Sequence, residues 1–135
     1  MKWATRRGCY VDRTACVWLI RRFVDPEATF SFFADPAEVP EDAELFDVAG
    51  ARLSHHGDYC SFETFLKEYR VEDRALVEIV HDADLIDEKY GRPESEGLDS
   101  TIRGMRISLP NDDVLTRHTG VLFDGLYAFL GREIL

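Results

Sequence analysis

The stretch W-A-T-R-R-G-C-Y-V-D-R-T-A-C-V-W-L-I-R-R-F-V-D-P-E-A-T-F-S-F-F, residues 3–33, decides the fold of the chain. Residues 3–8 predict a short strand that ends at a glycine. Residues 12–24 predict a helix capped by Asp12, and Pro26 closes it, because the residue before a proline disfavours helix. The β-branched and aromatic run at 29–33 predicts a second strand.

Downstream of this stretch the pattern changes from strands to helices. A loop with two prolines covers 34–44, and 45–48 predicts one more strand. Apolar residues then recur with helical spacing in windows that begin near 62, 73, 98 and 111. The order predicts an α+β fold, in which a small early β-sheet is covered by four or five mostly C-terminal helices. The length favours a single domain over residues 1–135.

The composition is that of a folded acidic domain. The 135 residues include 16 Lys+Arg and 26 Asp+Glu, which gives a formal net charge of −10. A hydrophobic share of 45% excludes a disordered tail. The acidic balance opposes binding to nucleic-acid phosphates, so we expect no nucleic-acid partner for this chain alone. No apolar run approaches the ~20 residues that a membrane span needs, so we expect no membrane association.

The cysteines indicate a reducing compartment. Cys9, Cys16 and Cys60 cannot all pair within one chain, and no C-x-x-C motif is present. The N-terminus also lacks a signal-type apolar stretch. We therefore expect a cytoplasmic protein, in which Cys16 is a small buried hydrophobic residue.

The strongest chemical motif is H-H-G-D-Y-C-S-F-E at 55–63, which brings two imidazoles, carboxylates and a thiol into one turn before a helix. Imidazole and carboxylate together suit Zn, Mn, Fe or Ni. The alternative is ordinary helix chemistry. Asp58 or Ser61 would then cap the following helix, and Glu63 would pair with Lys67 four residues on.

A second motif places His81 and Asp84 one turn apart on an apolar helix face. This i, i+3 spacing projects two ligands to one side, although a hydrogen bond between the two residues would also satisfy them. Polar groups on two core-facing elements need a partner, and a shared cation serves all of them. The combined prediction is a divalent transition-metal site formed by His55, Glu63, His81 and Asp84.

A third motif concerns anion binding. Residues 1–25 carry six basic residues against two acidic ones, unlike the rest of the chain. Asp12 and Arg13 open the first predicted helix, whose N-terminal N–H groups together with Arg6 could hold an oxyanion. The alternative is that Asp12 caps its own helix and Arg13 pairs with a carboxylate. The residues predicted to line an oxyanion pocket, or to support the metal ligands, are Arg6, Asp12, Arg13, Asp58 and Cys60.

Other catalytic motifs are absent from the sequence. It contains no phosphate-binding glycine loop, no G-x-S-x-G and no H-E-x-x-H. Cys60 with His55 or His81 is a weak candidate for a nucleophilic pair. His118 lies among leucines of the last helix and is predicted to be a core histidine.

The chain resembles the ChrB-type chromate-resistance domain in ordered blocks over nearly its whole length. The blocks are K-W-x-T-R (2–6), V-D-R-x-A-C (11–16), W-L-I-R-R-F (18–23), H-x-G-D-x-C-S-F-E (55–63), I-V-H-D-x-D-L (79–85), Y-G-R-P-E (90–94), G-L-x-x-x-I-x-G (97–104) and D-x-L-Y (124–127). That family usually has Glu where this chain has His56, so the resemblance favours His55 as the ligand.

The resemblance implies a role in sensing chromate or a related oxyanion, or in protection against it. In that family the domain forms the C-terminal part of chromate-responsive regulators and also occurs alone. Longer members have an additional N-terminal domain, the usual candidate for DNA contact. We therefore expect a metal-binding cytoplasmic domain with a small oxyanion, chromate or a relative, as its partner. The alternatives are a metal-dependent enzyme, hydrolytic or redox, and an interaction module without metal, and the sequence leaves open whether the chain forms a homodimer.

The charge generates the first prediction. We expect no mobility shift of a short DNA duplex by micromolar protein at low salt, where attraction to phosphate is strongest. A shift that disappears as salt is added would contradict the expectation, because it would reveal a basic surface that the net charge conceals.

Overall fold

The structure, a computed structural model, describes residues 1–71 and 73–131. These residues form three strands and five α-helices, which confirms the predicted α+β fold. In chain order the elements are β1 (Lys2–Arg6), α1 (Val11–Leu19), β2 (Thr29–Phe33), β3 (Glu44–Leu45), α2 (Ser61–Glu68), α3 (Arg74–Leu85), α4 (Glu94–Ser108) and α5 (Asp112–Leu130). A π-helical turn over Ile20–Val24 continues α1, and a 3-10 turn spans Pro36–Glu38.

The sheet is parallel and has β1 at its centre. Its order is β2-β1-β3, with Trp3 opposite both Phe30 and Glu44. Three consecutive residues in the middle of β1 are buried, as expected for a parallel strand covered on both faces. Because the strands run in the same direction, their carboxyl ends lie at one edge, where parallel α/β sheets place their binding sites.

Helix α1 forms the centre of the core. Every residue of α1 except Arg13 is buried, and the helix contacts each of the other four helices. A helix that is apolar almost all round must be covered on every side. Cys16 is fully buried there, as predicted. Asp12 is buried in the same helix, so its carboxylate needs partners inside the protein.

Several local predictions need correction. Asp12 lies within α1 and is not its cap, since the N-cap is Tyr10 and no side chain bonds there. The predicted strand at 45–48 is only Glu44–Leu45, because Phe46 next bridges to Leu53. His118 is exposed, so its prediction as a core histidine is wrong. The buried face of α5 includes threonines, which turn His118 outward; its buried residues are Asp112, Leu115, Thr116, Thr119 and Phe123.

Two buried aspartates fasten connecting loops to the helices. Asp112, at the start of α5, accepts hydrogen bonds from the backbone N–H groups of Gly8 (2.9 Å) and Cys9 (3.1 Å). Asp82 on α3 accepts the N–H groups of Tyr90 and Arg92, each at 3.1 Å. These bonds fix the entry to α1 and the α3–α4 connection. Among the described residues, no helix is long and apolar enough to cross a bilayer.

Candidate metal centre

The buried carboxylate of Asp12 joins α1 to the start of α2. Its Oδ1 accepts the backbone N–H of Phe62 at 2.8 Å, and its Oδ2 accepts that of Ser61 at 3.0 Å. The first N–H groups of a helix have no partner within the helix, so Asp12 supplies one from a neighbouring helix. An anion at this position also lies favourably at the positive end of the α2 dipole.

The local candidates for capping α2 have other positions. Asp58 is exposed in the two-residue turn between His56 and Tyr59, so it does not cap the helix. The Ser61 hydroxyl donates to Asp47 Oδ1 at 2.7 Å. The N-cap residue is Cys60, whose backbone N–H donates to Glu63 Oε1 at 3.1 Å.

His55 directs one ring nitrogen at three carboxylates. Its Nε2 lies 3.0 Å from Asp12 Oδ2, 3.4 Å from Asp84 Oδ2 and 3.8 Å from Asp47 Oδ1. The side chain is 47% exposed, so the cluster reaches solvent on the histidine side. The hydrogen bond to Asp12 raises the pKa of His55 to about 9, and the charges of Asp84 and Asp47 add to this against the opposing effect of burial.

The negative charges of the carboxylates in this cluster are only partly compensated by the positive charges near them. Burial, followed by the charge of Asp12, raises the pKa of Asp84 to about 7. Burial and Asp12 likewise raise the pKa of Asp47, although the charge of Arg13 opposes them. Such shifts mark acids that are crowded together, and a bound cation would relieve the repulsion.

Arg13 is a partner of Asp47. Its Nε donates to Asp47 Oδ2 at 2.8 Å, one Nη donates to the Asp47 carbonyl at 2.9 Å, and the other donates to the Arg6 carbonyl at 3.0 Å. Its side chain is mostly buried. The Arg6 guanidinium lies over the Phe33 ring instead. The arrangement is therefore the alternative in which Arg13 pairs with a carboxylate, and it leaves few donors for an oxyanion.

His81, which is fully buried, forms a second cluster with Glu63 and the exposed Asp87. Its Nδ1 contacts Glu63 Oε1, and its Nε2 lies 2.9 Å from Asp87 Oδ2. Burial lowers the pKa of His81, but the hydrogen bonds to Glu63 and Asp87 outweigh it, so the pKa is raised overall. The hydrogen bond from His81 lowers the pKa of Asp87. The alternative in which His81 bonds to Asp84 is wrong, because Asp84 faces His55.

The predicted ligands thus lie in two pairs, His55 with Asp84 and Glu63 with His81. Asp12, predicted as a supporting residue, contacts His55 directly. Cys60 is fully buried, and burial raises the pKa of its thiol, which disfavours it as a nucleophile. His56, the residue after His55, is exposed and lies outside the His55 cluster. Its Nε2 donates to the Arg52 carbonyl at 2.6 Å.

Two members of these clusters, Asp47 and Asp87, were not indicated by any sequence motif. Asp47 comes just after β3, and a carboxylate at the carboxyl end of a predicted strand was a usable signal. Asp87 follows Ile86, whose φ of 54° ends α3 in the left-handed conformation. No local pattern predicts that conformation at an isoleucine, so Asp87 offered no comparable signal.

Within residues 1–71 and 73–131, two groups of side chains have ligand atoms close enough to share one metal ion. Asp12, Asp47 and His55 form the first, and their ligand atoms lie within 4.8 Å of one another. The second consists of His81, Asp82 and Asp87. In the second group, Asp82 already accepts three backbone hydrogen bonds and both ring nitrogens of His81 are engaged. The first group is the better candidate for a metal centre, and a pocket of about 220 Å³ opens beside its His55.

The fold and site define a small α+β domain with a histidine–carboxylate cluster at the strand ends of a parallel sheet. The chain belongs to the ChrB C-terminal domain family, whose family model matches residues 3–130. It is 43% identical over 132 residues to the curated Protein ChrB of Cupriavidus metallidurans strain CH34, and the match covers 93% of this chain. The chain spans 40% of that relative's length. No solved structure matches the chain.

The position of Asp12 generates the second prediction. Replacing Asp12 by Ala removes the acceptor of two buried N–H groups, so we expect the free energy of unfolding to fall by about 2–4 kcal/mol. Urea denaturation in the presence of EDTA measures the loss without a contribution from bound metal.

Asp42→Ala is the matched control. Asp42 pairs with Lys2 on the surface, and an exposed ion pair contributes at most about 1 kcal/mol. Equal losses for Asp12→Ala and Asp42→Ala would contradict a structural role for the Asp12 carboxylate.

Proposed function

We propose that this chain is a cytoplasmic metal-binding domain that contributes to chromate resistance. In this proposal Asp12, Asp47 and His55 hold one divalent transition metal, and Asp84, whose Oδ2 lies 3.4 Å from His55 Nε2, joins them as a further ligand. The observation that carries the proposal is the convergence of three carboxylates on a single imidazole nitrogen, at the strand ends of the sheet and next to solvent. Three buried, unpaired cysteines agree with a reducing compartment.

The charges of the cluster favour a cation. Asp12, Asp47 and Asp84 bring three acids together, and the positive groups that act on them include Arg13, the proton of His55 and, for Asp84, Arg103. Bound metal would take the place of that proton, because a histidine ligand must be neutral. The site would then exchange one proton on Nε2 for a double positive charge, which the surrounding acids stabilise.

The carboxylates are held in place for ligation by other groups. Arg13 and the Ser61 hydroxyl fix Asp47, and two backbone N–H groups fix Asp12. Such outer hydrogen bonds orient ligands and tune a metal site. The Arg13 side chain therefore orients the ligand Asp47, and the Arg6 backbone carbonyl in turn holds Arg13. In this proposal neither arginine has to bind an oxyanion.

The ligand types limit the choice of metal. One imidazole with several carboxylates suits Mn, Fe or Zn. Of the four metals expected from the sequence, Ni fits this ligand set least well. The set offers no thiolate ligand for a metal that prefers sulfur. The nearby thiols of Cys16 and Cys60 are buried, and burial raises their pKa.

Glu63 and His81 have a supporting role in this proposal. Their contact joins α2 to α3 at the buried interface between these helices. Those helices carry the N–H groups that hold Asp12 and the side chain of Asp84. The two residues thereby maintain the distance across the metal centre without binding the metal.

The connection with chromate comes from the family resemblance. The matched relative carries the name Protein ChrB, and this chain corresponds to two fifths of it. We propose a sensing role, in which metal occupancy or redox state of the centre reports on chromate stress. A metal-dependent enzyme is the second candidate, because the half-exposed His55 and the adjacent pocket leave room for a water ligand or a substrate.

The third prediction concerns metal content. Elemental analysis of the protein reconstituted with Mn, Fe or Zn should find about one equivalent, and His55→Ala should lose most of it, because the site loses its imidazole ligand. His56→Ala, which removes the exposed neighbour, should retain the metal. Less than about a tenth of an equivalent in the wild type would contradict the proposed centre.

His81→Gln separates the proposed centre from the four-ligand site expected from the sequence. We expect the metal to stay and the melting temperature to fall, since His81 only joins α2 and α3. Metal loss as complete as that of His55→Ala would instead restore Glu63 and His81 as ligands.

The fourth prediction tests the biological role. In a chromate-sensitive bacterial host that gains resistance from a protein containing this domain, His55→Ala should reduce growth in chromate and His56→Ala should not. Equal growth of the two variants, at equal protein levels, would contradict a role for the metal centre in resistance.

A further inference from the structure

A positively charged groove lies at the C-terminal end of α1, whereas Asp12 lies at the N-terminal end of that helix. It runs between the π-helical turn after α1 and the middle of α5, and its volume is about 510 Å³. The lining residues that matter here are Trp18, Arg21, Arg22, Arg117, Gly120 and Asp124. Three arginines against one aspartate form a basic site on a chain whose net charge is −10.

One arginine of the groove offsets its aspartate. Arg22 donates to Asp124 Oδ1 at 2.5 Å, and the Trp18 indole N–H donates to the same oxygen at 2.8 Å. Arg22 also lies over the Tyr127 ring, with its Cζ 4.9 Å from the ring centroid. The charge of Asp124 is thereby compensated, and two arginines remain.

Arg21 and Arg117 are those two arginines. Within residues 1–71 and 73–131, neither forms an ion pair with a carboxylate. The Arg21 guanidinium is partly buried and is oriented by stacking over the Phe30 ring, with Cζ 4.8 Å from its centroid. Burial and the nearby charge of Arg117 both lower the pKa of Arg21, while Asp113 opposes them only in part. Arg21 and Arg117 thus face one groove as like charges, and Asp113 is near them but forms no ion pair with either among the described residues.

We infer that this groove binds a small, doubly charged tetrahedral oxyanion between Arg21 and Arg117. Planar guanidinium groups donate paired hydrogen bonds to such oxygens, and two of them match a double negative charge. The space at Gly120 is open, since a Cβ built there would meet no atom within 4 Å. Arg13 contrasts with this pair, because Asp47 and two backbone carbonyls engage its donors.

This inference is independent of the proposed metal centre. The two sites use different residues, and the groove needs no metal. Either can therefore fail without the other, and the tests below keep them separate.

Calorimetric titration with sulfate, at low ionic strength and neutral pH, tests the groove. The wild type should bind sulfate saturably, and both Arg21→Gln and Arg117→Gln should bind at least tenfold more weakly. Arg103→Gln is the matched control, because it removes one positive charge from α4, where Arg103 pairs with Asp99 outside the groove. The control should bind like the wild type, as should the metal-centre variant His55→Ala.

Further arms define the ligand class. Chromate should compete with sulfate for the groove, because both are tetrahedral dianions, and perchlorate at equal ionic strength should not. Circular dichroism checks that Arg117→Gln keeps its helices, as expected for a substitution on an exposed face of α5. Absence of saturable sulfate binding by the wild type would overturn the inference. Equal affinities of Arg117→Gln and Arg103→Gln would overturn it as well.

Discussion

The hydrogen bonds from the start of α2 to Asp12 are the interaction on which the rest of the site depends. A carboxylate in a helix as buried as α1 would be costly without partners, and the free N–H groups of α2 are the partners it finds. The contact fixes α2 against α1 and so places the residues on either side of its first turn. His55 lies just before that turn, Ser61 holds Asp47, and Glu63 reaches His81. The contact thereby positions the part of the candidate metal centre that comes from α2 and the loop before it, while Asp84 comes from α3.

Buried aspartates serve the same purpose elsewhere in the domain. Asp82 and Asp112 each accept backbone N–H groups from a connecting loop, as Asp12 does from a helix. The sheet has only three short strands, so much of the backbone lies outside regular hydrogen bonding. Carboxylates replace the missing partners, because an unpaired buried N–H costs more than a hydrogen bond contributes. Some of the acidic residues behind the net charge of this chain are therefore buried and stabilise the interior, and they do not lie on the surface.

The two histidine clusters differ in how much freedom their ring nitrogens retain. His81 is fully buried and has a carboxylate on each nitrogen, so it has no position left for an incoming group. His55 is half exposed and directs one nitrogen at three acids beside a pocket. Exchange of a proton for a metal is feasible only where solvent can reach the site. Burial therefore favours a structural role for the His81 cluster and leaves the His55 cluster as the candidate for metal binding.

The sequence by itself predicted the order of strands and helices, the start of α5 at Asn111, the end of β2 at Phe33, and the histidine and carboxylate residue types of the candidate metal centre. Those features depend on periodicity, capping and turn residues, which act over a few positions. Only the tertiary structure decided that Asp12 caps α2, that Asp84 faces His55 and not His81, and that Asp47 and Asp87 complete the clusters. These pairings join residues 6 to 50 positions apart. They depend on which helix faces which in three dimensions, and local patterns in the chain carry no information about that choice.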